Sequence, residues 1–138
     1  MDEWEAAIKE LKDAAEREDW HYVDKAIPQI INDERYQKWA CDQGIKDEDK
    51  NIRDLAVSII EKAEMPEQVF SQIRAELNRL MSEDEHIYVR FRAAFALANH
   101  GAGDYKDAVL KELNEARMDK DVGDLAKAYI AKLRRVKN

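Results

Sequence analysis

Apolar residues recur along this chain with one spacing in four places. Val23, Ile27, Ile30 and Ile31 open the series, followed by Ile52, Ala56, Ile59 and Ile60; then come Val89, Ala93, Ala96 and Leu97, and finally Val122, Ala126, Tyr129 and Ile130. Offsets of four, seven and eight positions gather each set on one face of a helix with about 3.6 residues per turn. The anchors Val23, Ile52, Val89 and Val122 lie 29, 37 and 33 residues apart. This is an internal repeat whose irregular period points to insertions in surface loops.

Between these helices the same periodicity predicts partners. Residues 2–17 carry Trp4, Ala7, Ile8, Leu11, Ala14 and Ala15 on one side, after a start rich in acids (Asp2, Glu3, Glu5) that suits the helix dipole. Residues 33–43 hold Tyr36, Trp39, Ala40 and Cys41 before Gly44, which is expected to end the helix in the left-handed conformation. Residues 66–81 begin with Pro66 in the first turn and continue through Val69, Phe70, Ile73, Leu77, Leu80 and Met81 as one stripe. Residues 104–117 contribute Ala108, Val109, Leu113 and Ala116. Ser82 with Glu85 has the form of a capping box, and Gly101 and Gly103 separate the third long helix from its successor. The pattern predicts an all-α chain of about eight helices in four hairpins, spanning about 1–32, 33–64, 65–101 and 102–138 of a single domain.

Composition supports this reading. With 138 residues, 45% hydrophobic and 38% charged, and only four Gly and two Pro, the chain has enough apolar matter for a core and few helix breakers. The net charge of -7 argues against a general polyanion binder, since nucleic-acid modules rely on Lys and Arg to displace counterions. Cys41 is the only cysteine, so no disulfide forms within the chain. The opening Met-Asp-Glu-Trp-Glu has neither a basic n-region nor an apolar h-region. No window reaches the roughly 18 to 20 apolar residues of a membrane span. A cytoplasmic location and no membrane are expected.

The stretch Asp84-Glu-His-Ile-Tyr-Val-Arg-Phe-Arg-Ala-Ala-Phe-Ala-Leu-Ala-Asn-His-Gly101 resembles the second helix of a HEAT-type repeat, as found in phycobilin lyases and many small prokaryotic HEAT-repeat proteins. An acidic residue precedes Val-Arg, and alanines occupy the core positions. Residues Asp49 to Ala63 are similar and set Arg53 where the other has Arg90. The fourth segment keeps Asp119, Asp121, Val122 and Ala126 but has Gly123 at the arginine position. The resemblance covers about 48–136. It implies a right-handed helical-hairpin solenoid, and a structural ladder between neighbouring repeats in which Asp49, Arg53, Asp84 and Arg90 take part.

Residues with reactive chemistry do not converge in the sequence. His21, His86 and His100 fall in separate hairpins without the spacing of a metal site, and Glu85-His86 reverses the order that metallohydrolases use. Asp47, Asp49 and Asn51 copy the opening of a calcium loop, but Ile52 and Ser58 replace its glycine and its bidentate acid. Cys41 has no base near it in sequence, and no phosphate-cradling loop or nucleophile elbow occurs. No catalytic residue, metal or cofactor is expected.

One departure among equivalent positions stands out. Two residues after each anchor stand Lys25, Asp54, Phe91 and Asp124, and six after stand Gln29, Ser58, Phe95 and Ala128. These offsets point away from the core face. The third hairpin therefore places Phe91 and Phe95, with Tyr88, where the others are polar or small. Two readings follow: a ridge of exposed aromatics that docks a partner, with Asp54 and Ser58 as its counterparts in the second hairpin, or a helix buried on all sides. The expected function is a non-enzymatic scaffold or adaptor, monomeric or weakly self-associating, that binds another protein. A chromophore-handling or cofactor-handling lyase is the alternative implied by the resemblance, and a nucleic-acid binder a weaker one.

Overall fold

The computed structural model describes residues 2–135, so the outermost residues of the first and fourth predicted repeats lie outside it. Every regular element among the described residues is helical. The α-helices are α1 (Glu3–Glu16), α2 (Trp20–Ile30), α3 (Glu34–Asp42), α4 (Lys50–Lys62), α5 (Glu67–Phe70), α6 (Arg74–Glu83), α7 (Ile87–His100), α8 (Lys106–Ala116) and α9 (Gly123–Arg135). Short 3-10 turns occupy Gly44–Lys46 and Gly103–Tyr105. None of these helices is long and apolar enough to cross a membrane. The helices group into two compact units, the first ending at Glu64 and the second starting at Met65.

In the first unit α1 packs on α2 and α4, and α3 packs on α4. Aspartates start all four helices by accepting orphan backbone N–H bonds: Asp2 from Glu5 at 2.8 Å, Asp19 from Tyr22 at 3.2 Å, Asp33 from Arg35 at 3.0 Å, and Asp49 from Asn51 and Ile52 at 2.7 and 3.2 Å. The end of α1 is closed by Glu18, at φ 62°, with the Asp19 N–H donating to Ala14 O at 2.9 Å. This six-to-one bond defines a Schellman turn. Gly44 does not take the left-handed conformation expected of it; among the described residues the positive-φ ones are Glu18, Gly101 and Gly103. Its requirement is steric. A β-carbon there would stand 2.5 Å from the Ala56 Cβ and 3.0 Å from the Trp39 ring.

The second unit departs from the sequence pattern at its start. Instead of one helix over 66–81 the chain forms α5, a turn over 71–73, and α6. Pro66 caps α5 rather than entering it, and Val69 leaves the predicted stripe to stand 42% exposed while Phe70 is fully buried. Arg74 holds the break in place. Its Nε donates to Gly101 O at 3.0 Å, its Nη2 pairs with Glu67 at 2.6 Å, and its guanidinium lies 5.3 Å from the Phe70 ring centre. The capping box at Ser82 and Glu85 does not form, because α6 runs past Ser82 to Glu83. Asp84 instead folds the loop ahead of α7, accepting the His86 N–H at 2.9 Å.

The loops before α4 and α7 are built alike. Asp47 Oδ1 accepts the Asp49 N–H at 2.8 Å, while Arg53 Nη1 donates to Asp47 O at 2.9 Å and Glu48 O at 3.0 Å. Thirty-seven residues on, Asp84 Oδ1 accepts from His86 N, and Arg90 Nη1 donates to Asp84 O at 2.9 Å. The structural counterpart of Asp84 is therefore Asp47, not Asp49, and these bonds tie each arginine to the loop of its own hairpin. Asp49 is instead matched by Asp119, which accepts from Asp121 N and Val122 N at 2.8 and 3.2 Å. The tighter loop before α9 also accounts for Gly123 at the arginine position, since a β-carbon there would meet Arg117 O at 2.7 Å.

Candidate functional site

Phe91 and Phe95 do not form an exposed ridge. They are 2% and 0% exposed, Phe95 stacked on Tyr129 of α9 with ring centres 5.4 Å apart and Phe91 edge-on to Tyr88 at 6.1 Å. The reason lies in α7 itself, where residues 93–98 are apolar without a break and all buried, so this helix has no wide polar face to turn toward water. Asp54 and Ser58 are likewise buried in α4 of the first unit, with Ser58 Oγ donating to Asp54 Oδ1 at 3.3 Å. Together with Asn51 and Glu61, also buried, they make a polar stripe at three- and four-residue spacing along α4. Of the predicted partner-binding residues, only Tyr88 remains half-exposed.

Tyr88 has a defined task. Its hydroxyl donates to Asp119 at 2.9 Å and approaches Asp121 at 3.5 Å, linking the start of α7 to the loop before α9. The hydrogen bond to Asp119, reinforced by burial, holds the phenol proton more tightly than usual. On either side of this link stand residues that sequence reasoning passed over. Ile87 is 43% exposed and Met118 is 80% exposed. Each precedes a member of the Tyr88–Asp119 bond in the chain, so both lie at the loop end of the second unit. A lone Met within Arg-Met-Asp-Lys-Asp was the available signal.

Beside this end runs a groove of about 280 Å3 lined by Met81 and Ser82 of α6 and by Ala108, Lys111, Glu112 and Glu115 of α8. Glu112 Oε2 is shielded from solvent and meets no hydrogen-bond donor. Burial pushes its carboxyl up to about 7, aided by a hydrogen bond to Glu115 and by the charge of that neighbour, and opposed by Arg90 and Lys111. Glu112 thus holds a proton near neutrality, because burial and an adjacent carboxylate both disfavour its ionised form.

A second groove, in the first unit, is lined by Trp4, Arg35, Lys38, Trp39, Asp42 and Gln43. Its cations are already neutralised: Arg35 pairs with Asp33 and Lys38 with Asp42, both at 2.8 Å. Trp4 packs edge-on against Tyr36 at 5.6 Å. Cys41 is half-buried, and burial pushes its thiol up to about 11, which keeps it protonated and poorly nucleophilic at neutral pH. Among the described residues no group of three or more His, Cys, Asp or Glu is placed to hold a metal ion. No family model matches this sequence, and comparison with curated proteins and with solved structures finds no significant similarity.

Proposed function

We propose that this chain is a non-enzymatic interaction module, each unit a pair of HEAT-like hairpins in right-handed solenoid order, that binds another protein through the loop end of its second unit. The observation that carries this reading is the exposure of Ile87 and Met118 beside the Tyr88–Asp119 link. Large apolar side chains held in water on ordered backbone lose that exposure when a partner covers them, and methionine adapts to varied partner surfaces. The half-buried thiol at Cys41 suits a reducing cytoplasm.

The experiment is a quantitative pull-down from cell lysate with the wild-type chain and with an Ile87→Ser/Met118→Ser double variant. Both sites are exposed, so the variant should melt as the wild type does. A specific protein retained by the wild type and lost from the variant is the expected outcome. Equal recovery by both chains, or no specific protein with either, overturns the reading.

A further inference from the structure

The loop end of the second unit also shows what kind of protein it suits. Carboxylates outnumber cations there by seven to four: Glu83 to Glu85 before α7, Glu112 and Glu115 on α8, and Asp119 and Asp121 before α9, against Arg90, Lys111, Arg117 and Lys120. The groove between α6 and α8 reaches this end through two short steps. Glu115 stands one turn before Met118, and Arg90, whose charge acts on Glu112, stands one turn after Ile87. Apolar contact area, an acidic rim and a shielded carboxylate oxygen without a donor are therefore contiguous.

Resting on the protein-binding reading above, we propose that the occupant is a basic amphipathic segment of the partner, its apolar side on Ile87 and Met118 and one lysine or arginine seated in the groove against Glu112 and Glu115. An ammonium or guanidinium supplies Glu112 Oε2 with the donor it lacks, and a charge-assisted bond of this kind is stronger than a neutral one. The cation also takes the place of the proton that Glu112 holds near neutrality. The charged groups facing Glu112 are Glu115 and Lys111 on its own helix and Arg90 on α7, while α6 contributes neutral Met81 and Ser82 to the groove. Of these, Glu112 is the one that holds a proton near neutrality. Binding then releases a proton, and affinity rises with pH.

The probe is a Leu/Lys amphipathic peptide of about 18 residues, long enough for five helical turns. A Lys/Ser peptide of equal charge and a Leu/Glu peptide serve as controls. Calorimetry at pH 6 and pH 8, in buffers of differing ionisation enthalpy, reads affinity and proton release together. The Leu/Lys peptide should saturate at one site, bind more tightly at pH 8, and release a proton at pH 6. Glu112→Gln/Glu115→Gln should weaken it by about tenfold, equivalent to a single good charged contact, and abolish the pH dependence. Ile87→Ser/Met118→Ser should weaken it while the pH dependence persists. Equal affinity for the Lys/Ser peptide, or binding unchanged by the glutamine substitutions, overturns the inference. If the Leu/Lys peptide does not bind while lysate capture still depends on Ile87 and Met118, the basic segment is wrong and the protein-binding reading survives. If neither assay depends on those two residues, both fall.

Discussion

Gly44 lies against Ala56 with no room for a side chain between them: a β-carbon on the glycine would stand 2.5 Å from the alanine Cβ. The contact seats the turn Gly44–Lys46 directly on α4 and closes the first unit beneath the Trp39 ring. Because the Gly44 φ is not positive, replacing it introduces crowding without the backbone strain of a left-handed site. Gly44→Ala should destabilise the protein by about 1 to 3 kcal/mol, the usual cost of overpacking a tight site. Urea denaturation measures this. Adding Ala56→Gly should recover part of the loss by reopening the space, and a double variant no better than Gly44→Ala would show that the crowding lies elsewhere.

Burial sets opposite expectations for Phe95 and Met118. Phe95→Ala removes a ring stacked on Tyr129 and should cost about 3 to 5 kcal/mol. Met118→Ser, at a side chain 80% exposed, should change stability by no more than about 0.5 kcal/mol. Thermal melts of the two variants side by side separate a core residue from a surface one. A small effect at Phe95 would mean that the aromatic ridge is accessible after all.

Glu112 should leave a signature in the pH dependence of stability. Its carboxyl is raised from 4.5 to about 7 in the folded protein, with burial the leading cause. Below about 4.5 the group is protonated in both states and adds no pH dependence. Between there and about 7 the folded state holds the proton more tightly than the unfolded state, so stability is lost as pH rises. Glu112→Gln removes this loss. The variant should match the wild type near pH 4.5 and exceed it at pH 8, and the difference between their melting temperatures is the quantity to follow. A difference that stays constant across this range would show that Glu112 titrates normally.

The apolar spacing in the sequence located α2, α4, α7 and α9 because each of these helices must bury one face, and burial leaves a period of about 3.6 residues. It failed where bonds outside that period decide the backbone. No glycine or proline marks the break over 71–73; the break follows instead from Arg74 reaching Gly101 O, a partner 27 residues away. Glycine was read as a turn former at Gly44, whereas the structure uses its small size. At the candidate site, the offsets of Phe91 and Phe95 from Val89 alone leave open that this direction faces water, but both side chains are buried. The unbroken apolar run over 93–98 was the visible sign that it does not. Exposed Ile87 and Met118 carry no periodic signal, since Ile87 is the first residue of α7 and Met118 a single apolar residue in a polar turn.

The twin loops of Asp47 with Arg53 and Asp84 with Arg90 also govern where this chain can change length. Each arginine spans a fixed number of residues to the carbonyl it binds, so an insertion inside either loop would break the clasp and release the start of the following helix. The longest repeat interval, 37 residues between Ile52 and Val89, must therefore store its surplus elsewhere, and the short α5 with the turn after it provides the space. The clasps fix the starts of α4 and α7 to the loops just before them, and leave the segment ahead of α6 as the place where length can vary.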